Sequence, residues 1–158
     1  NPIDHRRVYD DPKFEQVGDR VMDKYDVPGI GPEQIDAVLQ FLPIFEQPDY
    51  EFGEWHSPKG QFPFYSVNDE VMGFLQTLDE QQIVFPFDWP RWQEESGRHL
   101  SDPGALETAD LLTLRKLLTT HVRTERFVEG HLANMLESGH ITTILRRLQK
   151  IRLQMSSC

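Results

Sequence analysis

The chain of 158 residues has a single cysteine, Cys158. One thiol excludes an intrachain disulfide framework and a zinc site built from cysteines. The chain also lacks the apolar run of about 18 residues that a membrane-spanning helix needs. Its first residues contain no basic stretch followed by an apolar stretch, so we expect no secretory signal and take the cytoplasm as the default location.

The signatures of several enzyme classes are missing as well. The sequence contains no glycine-rich phosphate loop, no Gly-x-Ser-x-Gly elbow and no His-Glu-x-x-His zinc motif. It also shows no internal repeat and no heptad array. We therefore expect no cofactor and no metal ion, and these patterns alone assign no activity.

Positive charge is scarce in most of the chain. The formal net charge is −10, from 16 basic and 26 acidic side chains. Residues 1–97 carry a net charge of −13, whereas residues 98–158 carry a net charge of +3. An acidic protein is repelled by nucleic acid and by anionic lipid unless its cations are segregated. We therefore expect no membrane contact.

The cations are indeed concentrated at the end of the chain. From Ile141 onward the sequence has no acidic side chain and four basic ones, Arg146, Arg147, Lys150 and Arg152. The favoured interpretation is a solvated face at the C-terminal end of the last helix, where cations suit the helix dipole. A nucleic-acid-binding stripe is the weaker alternative.

Apolar side chains recur at helical spacing along most of the sequence. This pattern predicts a mainly α fold, with six or seven short helices in one compact domain over residues 1–158 and a loose arm at residues 1–10. The predicted helices begin near Pro12, Pro32, Asn68, Pro90, Thr108, Thr124 and Ile141. Pro43 is predicted to end the second helix, and Gly139 to end the helix that precedes the last one.

Aromatic residues are concentrated in the middle of the chain. Of the 17 aromatic side chains, 13 lie between Phe41 and Trp92. Those on either side of the turn-like segment Ser57–Gly60 predict a small β-hairpin or an ordered aromatic loop. The favoured interpretation of the whole set is hydrophobic core, and a ligand pocket is the alternative.

Three histidines and three glutamates lie between positions 121 and 140. His121 and Glu125 share a helix face if that helix continues past Thr124. Glu137 and His140 have the spacing found in helical di-iron proteins. Because Gly139 is expected to end that helix and no second strong copy exists, we expect no metal here. His121 lies on a leucine-rich face and is predicted to be a core or interface histidine whose hydrogen bonds are satisfied.

Two arginines lie at the bend between the predicted helices. Arg123 and Arg126 could hold a carboxylate or a phosphate in bidentate fashion. The favoured alternative is a structural brace in which they pair with Glu125, Glu129 or Glu137.

Two long segments resemble a known family. They are FDWPRWQEES (87–96) and ADLLTLRKLLTTHVRTERFVEGHLANMLESGHITTILRRL (109–148), with a fainter likeness in YEFGEW (50–55). The chain resembles the bacterial domain-of-unknown-function family 6508 over roughly residues 45–150. The resemblance implies a small, mostly helical, intracellular domain and transfers no catalytic residue. The segment before Phe45 is expected to lie outside it.

The sequence thus favours a non-enzymatic binding or regulatory module. Its partner would be an unidentified protein or a small-molecule ligand, and a homodimer is a further option. The alternative is a hydrolase-like enzyme that uses the Glu, His and Arg cluster. The candidate surface comprises Asp88, Trp89, Trp92, Arg123, Arg126, Glu129, His131, Glu137 and His140.

Overall fold

The computed structural model describes residues 27–156. The predicted arm at residues 1–10 and the helix predicted to begin near Pro12 lie outside this range. The described helices are α1 (Pro32–Leu39), α2 (Leu42–Phe45), α3 (Asp69–Glu80), α4 (Gln93–Ser101), α5 (Leu111–Thr124), α6 (His131–Glu137) and α7 (His140–Ser156). Two 3-10 helices (Trp89–Trp92 and Pro103–Thr108) and two strands, β1 (Gly53–His56) and β2 (Phe64–Val67), complete the fold. The mainly α class and the small hairpin are confirmed.

Side-chain caps determine where two of the longer helices begin. The Asn68 side chain accepts a hydrogen bond of 2.8 Å from the backbone N–H of Val71 and so caps α3 as predicted. Asp110 accepts an equivalent bond from Thr113, and α5 therefore begins at Leu111. The predicted start near Thr108 was wrong, because the residues up to Thr108 form a 3-10 helix.

Pro43 does not end the second predicted helix. α1 already ends at Leu39, and Pro43 lies in the first turn of the short helix α2. A proline fits there because the first N–H groups of a helix have no partner within it.

The segment between α5 and α6, residues 125–130, is here named the elbow. A helix from Thr124 through Phe127 was predicted, but α6 begins only at His131. Gly130 has a φ of +88°, in the left-handed region that favours glycine. α5 ends at Thr124, so the condition under which Glu125 would share a helix face with His121 is not met. The Glu125 carboxylate instead accepts backbone hydrogen bonds from Gly130 and Leu132. Gly139 has a φ of +85° and follows α6 as predicted.

The core lies between α7 and the helices packed on it. α7 contacts α1, α2, α5 and α6. Its side chains Ile144 and Leu145 are fully buried. The aromatic-core interpretation holds for part of the set, since Phe45 packs edge-on against Phe52 and Phe74 at ring distances of 5.3 Å and 5.2 Å. It was wrong for other rings, which are exposed: Trp55, Phe62 and Phe64.

Two arginines of the last helix pair with carboxylates near the start of the described chain. The Arg146 guanidinium lies 2.7 Å from a Glu46 carboxylate oxygen. Arg152 donates to both carboxylate oxygens of Asp36, at 2.8 Å and 3.1 Å. Part of the cationic segment is therefore neutralised within the domain. Among residues 27–156, no helix is long and apolar enough to cross a membrane.

Gly53 lies at the closest approach of the two strands, opposite Val67. A Cβ at Gly53 would collide with the backbone of Ser66 and Val67. We predict that Gly53→Ala lowers the free energy of unfolding by about 1–3 kcal/mol, because overpacking against backbone cannot be relieved by a rotamer change. Chemical denaturation measures the difference.

The matched control is Gly97→Ala in the exposed part of α4, where an added Cβ meets no atom within 4 Å. This variant should gain up to about 1 kcal/mol from helix propensity. Equal effects of the two substitutions would contradict the strand geometry.

Candidate functional site

The hairpin is attached to both ends of α6. The Trp55 ring lies against the Cα of Gly130, where an added Cβ would come within 2.9 Å of the indole. The backbone N–H of Tyr65 donates to Glu129 at 3.4 Å, and the Tyr65 hydroxyl donates to Glu137 at 3.2 Å. Trp55 and Tyr65 are cross-strand partners whose rings pack edge-on at 5.5 Å. The hairpin and α6 thus form one structural unit.

Apolar side chains remain exposed where the hairpin contacts the elbow. Trp55 is 52% exposed, Phe127 76% and Val128 52%. The Phe127 ring lies 5.9 Å from the half-buried ring of Trp89. We name these residues, Trp55, Trp89, Phe127 and Val128, the aromatic surface. Adjacent exposed apolar side chains of this size are typical of interaction sites.

The two predicted tryptophans lie in different surroundings. Trp89 reaches the elbow through Phe127, as described above. Trp92 is buried, with its ring 6.0 Å from Phe87 and 6.2 Å from His99. Asp88 is buried immediately before the 3-10 helix.

The two arginines lie on the α5 side of the elbow. Arg123 is half-buried, and burial followed by the neighbouring Arg126 lowers the pKa of its guanidinium, while Asp79 opposes that shift. Arg126 is exposed. The described hydrogen bonds and ion pairs do not include a bond from either guanidinium to Glu125, Glu129 or Glu137. The predicted brace between them was therefore wrong.

The predicted glutamates and the predicted histidines contact different residues. Glu129 and Glu137 bind Tyr65, as given above. His131 and His140 instead lie against His121, with ring distances of 5.2 Å and 5.0 Å. No described hydrogen bond joins either glutamate to either of these imidazoles.

His121, His131 and His140, which we name the histidine cluster, join three helices. His121 lies in α5, while the other two are the first residues of α6 and α7. His121 Nδ1 is 3.0 Å from His131 Nε2, so one of these imidazoles donates to the other. His121 is only 1% exposed, and its Nε2 is buried without a hydrogen-bond partner, as is His140 Nε2.

Burial keeps these imidazoles neutral. Desolvation, followed by the neighbouring His140 and His131, lowers the pKa of His121 to about 3. Desolvation, followed by His99 and His131, lowers the pKa of His140 to about 4. The pKa of His131 is lowered by desolvation, against the opposing charge of Glu125. On the hairpin, burial and then Glu137 raise the pKa of Tyr65 to about 12.

The described residues offer few features of a catalytic centre. Within residues 27–156, no three His, Cys, Asp or Glu side chains are arranged to hold a metal ion. Of the nine predicted residues, Trp92 lines an open cavity of about 480 Å³ and Glu137 lines another of about 330 Å³, and the other seven line neither.

The fold and this site define a small helical domain with a hairpin docked on a helical elbow. Residues 30–154 match the family described as a family of unknown function (DUF6508), and the chain belongs to this family. The expectation that residues before Phe45 lie outside the family was wrong for residues 30–44, whereas residues 1–29 lie outside the match. The reason is structural, because α1 buries Ile35 and Val38 in the core. No curated protein and no solved structure matches the chain.

Sequence reasoning missed the hairpin's part in this site. Trp55 and Tyr65 were interpreted as hairpin or core aromatics, and nothing in their spacing indicated α6 as their partner. One signal was available, because a glycine between Glu129 and His131 can accept a ring against its backbone. His121 was correctly predicted as a buried histidine, but the expectation that its hydrogen bonds are satisfied was wrong, because its Nε2 has no partner among the described residues.

The contact of Trp55 with Gly130 can be tested by a glycine pair. Gly130→Ala and Gly139→Ala both place alanine at a positive φ, which costs about 1 kcal/mol. Only at Gly130 does the new methyl meet the indole, because nothing lies within 4 Å at Gly139. We predict that only Gly130→Ala shifts the indole N–H resonance of Trp55 in a two-dimensional NMR spectrum. A comparable shift in both variants would refute the contact.

The histidine cluster predicts a pH-dependent stability. The pKa of His140 is about 4 in the folded state and about 6.5 when unfolded, so between these values the unfolded chain binds more protons. The free energy of unfolding should therefore be highest above pH 6.5 and fall on acidification, with a slope of at most about 1.4 kcal/mol per pH unit for this group.

Urea titrations between about pH 7 and 5 measure this slope, in a range above most carboxylate titrations. His140→Phe removes the titrating group, and its slope should be smaller than that of the unsubstituted chain. His56→Gln, outside the cluster, is the control and should retain the full slope. An unchanged slope in His140→Phe would argue against the neutral buried imidazole.

Proposed function

We propose that the domain is a non-enzymatic protein-binding module and that the aromatic surface is its docking site. The observation that carries this proposal is the exposure of Phe127 and Val128 on the elbow, together with the exposed ring of Trp55, which lies against Gly130 of the same elbow. Exposed aromatic anchors beside charged rims are typical of the residues that contribute most to binding. The cytoplasmic location, as the default for a chain without disulfides, belongs to the same proposal.

Charge favours a basic partner. Glu129 and Glu137 flank the hairpin contact, and Glu54 is an exposed neighbour of Trp55 in β1. The opposing charges in this region are the exposed Arg126, the half-buried Arg123 and the exposed Arg91 of the 3-10 helix that carries Trp89. The whole chain carries a net charge of −10, so two copies repel each other and a cationic partner is attracted. We infer an occupant that combines apolar side chains with Arg or Lys, which can also stack on the indole.

The same geometry weakens the other two functions. The hydrolase alternative would need Glu129 or Glu137 within hydrogen-bond reach of His131 or His140, whereas these two glutamates accept hydrogen bonds from Tyr65. Nucleic-acid binding through α7 needs available cations, yet Arg146 and Arg152 pair with Glu46 and Asp36. Both remain less supported than protein binding.

The test uses displayed random peptides selected on the purified chain. We expect the selected peptides to place Arg or Lys beside apolar residues. Phe127→Ser should weaken their binding by about tenfold or more, which corresponds to about 1.4 kcal/mol and is expected for an anchor residue. Fluorescence anisotropy of a labelled selected peptide measures the affinity.

Met72→Ser is the matched control, because Met72 is a similarly exposed apolar side chain in α3. It should leave the affinity unchanged. Selection of acidic peptides, or binding that Phe127→Ser does not affect, would refute the proposal. So would a dimer that dissociates in Phe127→Ser, since the occupant would then be a second copy.

A further inference from the structure

The histidine cluster is placed where it can control the aromatic surface. His131 follows directly after Gly130, the residue that supports the Trp55 ring. α6 therefore carries an imidazole at its first residue. The two carboxylates that accept hydrogen bonds from Tyr65 of the hairpin are Glu129, just before α6, and Glu137, its last residue. Any displacement of α6 from α5 also displaces the groups that hold the hairpin.

The cluster has little capacity to accept a proton. One hydrogen bond joins His121 Nδ1 to His131 Nε2, and a second proton on that pair of atoms would break it. Of the four other ring nitrogens of the cluster, two, His121 Nε2 and His140 Nε2, are buried without a hydrogen-bond partner in the described part of the chain. A proton added there would be a buried charge with no partner, which is costly. Moreover, His131 and His140 lie at helix N-termini, where the helix dipole disfavours a cation.

The surrounding charges do not compensate for this cost. From α4, His99 acts on His140 and would add repulsion when charged. The carboxylate of Glu125 acts on His131 and raises its pKa, against the larger lowering by desolvation. That carboxylate already accepts backbone hydrogen bonds from Gly130 and Leu132. The 3-10 helix Trp89–Trp92, which also packs on α5, carries Arg91 and follows the buried Asp88, and neither is among the charges that shift the pKa values of the three imidazoles.

We propose that protonation of the histidine cluster releases α6 from α5 and α7, so that mild acidification detaches the hairpin and dismantles the aromatic surface. Below the transition the charged imidazoles separate and become hydrated. The elbow then loses the contact between Gly130 and Trp55. This inference rests on the proposed function only in treating the aromatic surface as the docking site, because the switch itself is a property of the fold.

The experiment follows the complete chain by NMR from about pH 7.5 to 4.5, the range in which histidine switches operate. It records the imidazole C2–H resonances, the Trp55 indole N–H, and hydrogen-exchange protection factors. We expect the amides of α6, β1 and β2 to lose about tenfold or more of their protection, together with the shift of the Trp55 indole. The amides of α1 and α3 should remain protected at the same pH and serve as the internal control.

His140→Phe retains a ring against His121 and removes one ionisation. The release of the hairpin in this variant should move to lower pH by about half a unit or more, since fewer protons are then taken up on opening. If this variant does not fold, the C2–H titrations of the unsubstituted chain still decide the question, because they must coincide with the Trp55 shift.

Three results would overturn the inference. They are an unchanged hairpin down to about pH 4.5, loss of protection in α1 and α3 together with the hairpin, and release at the same pH in folded His140→Phe. None of these measurements uses a binding partner. A failure of peptide selection would therefore refute the proposed function and leave the switch standing, and the reverse also holds.

Discussion

The left-handed backbone of Gly130 is the constraint on which the rest of the site depends. Its φ of +88° ends the elbow and sets the direction of α6. That direction places His131 against His121 on one side. The missing side chain leaves room on the other side for the Trp55 ring. One residue thus couples the interior of the helical bundle to the hairpin on its surface.

Local rules accounted for much of the fold. Asn68 and Gly139 have short-range roles, one as a cap and one as a helix terminator, and both were predicted from the sequence. Errors arose where two signals competed over a few residues. Pro43 can end a helix or begin one, and the choice depends on the packing of α2 on α7 rather than on the sequence nearby.

The candidate site was harder to predict because its contacts are distant in sequence. Tyr65 binds residues 64 and 72 positions further along the chain. Periodicity gives the face on which a side chain lies, but not which element covers that face. The same limit explains why Glu129 and His131 were grouped as chemical partners. They are near neighbours in sequence, but they lie on either side of the turn at Gly130, and Glu129 accepts a hydrogen bond from Tyr65 whereas His131 lies against His121.

The ion pair between Arg152 and Asp36 has an implication for the architecture of proteins that contain this domain. It holds the last turns of α7 beside α1, and so brings the two ends of the segment 30–154 together. A unit whose entry and exit points are adjacent can be inserted into a surface loop of a host protein without stretching that loop. The geometry of this domain is therefore suited to insertion into a loop of another domain.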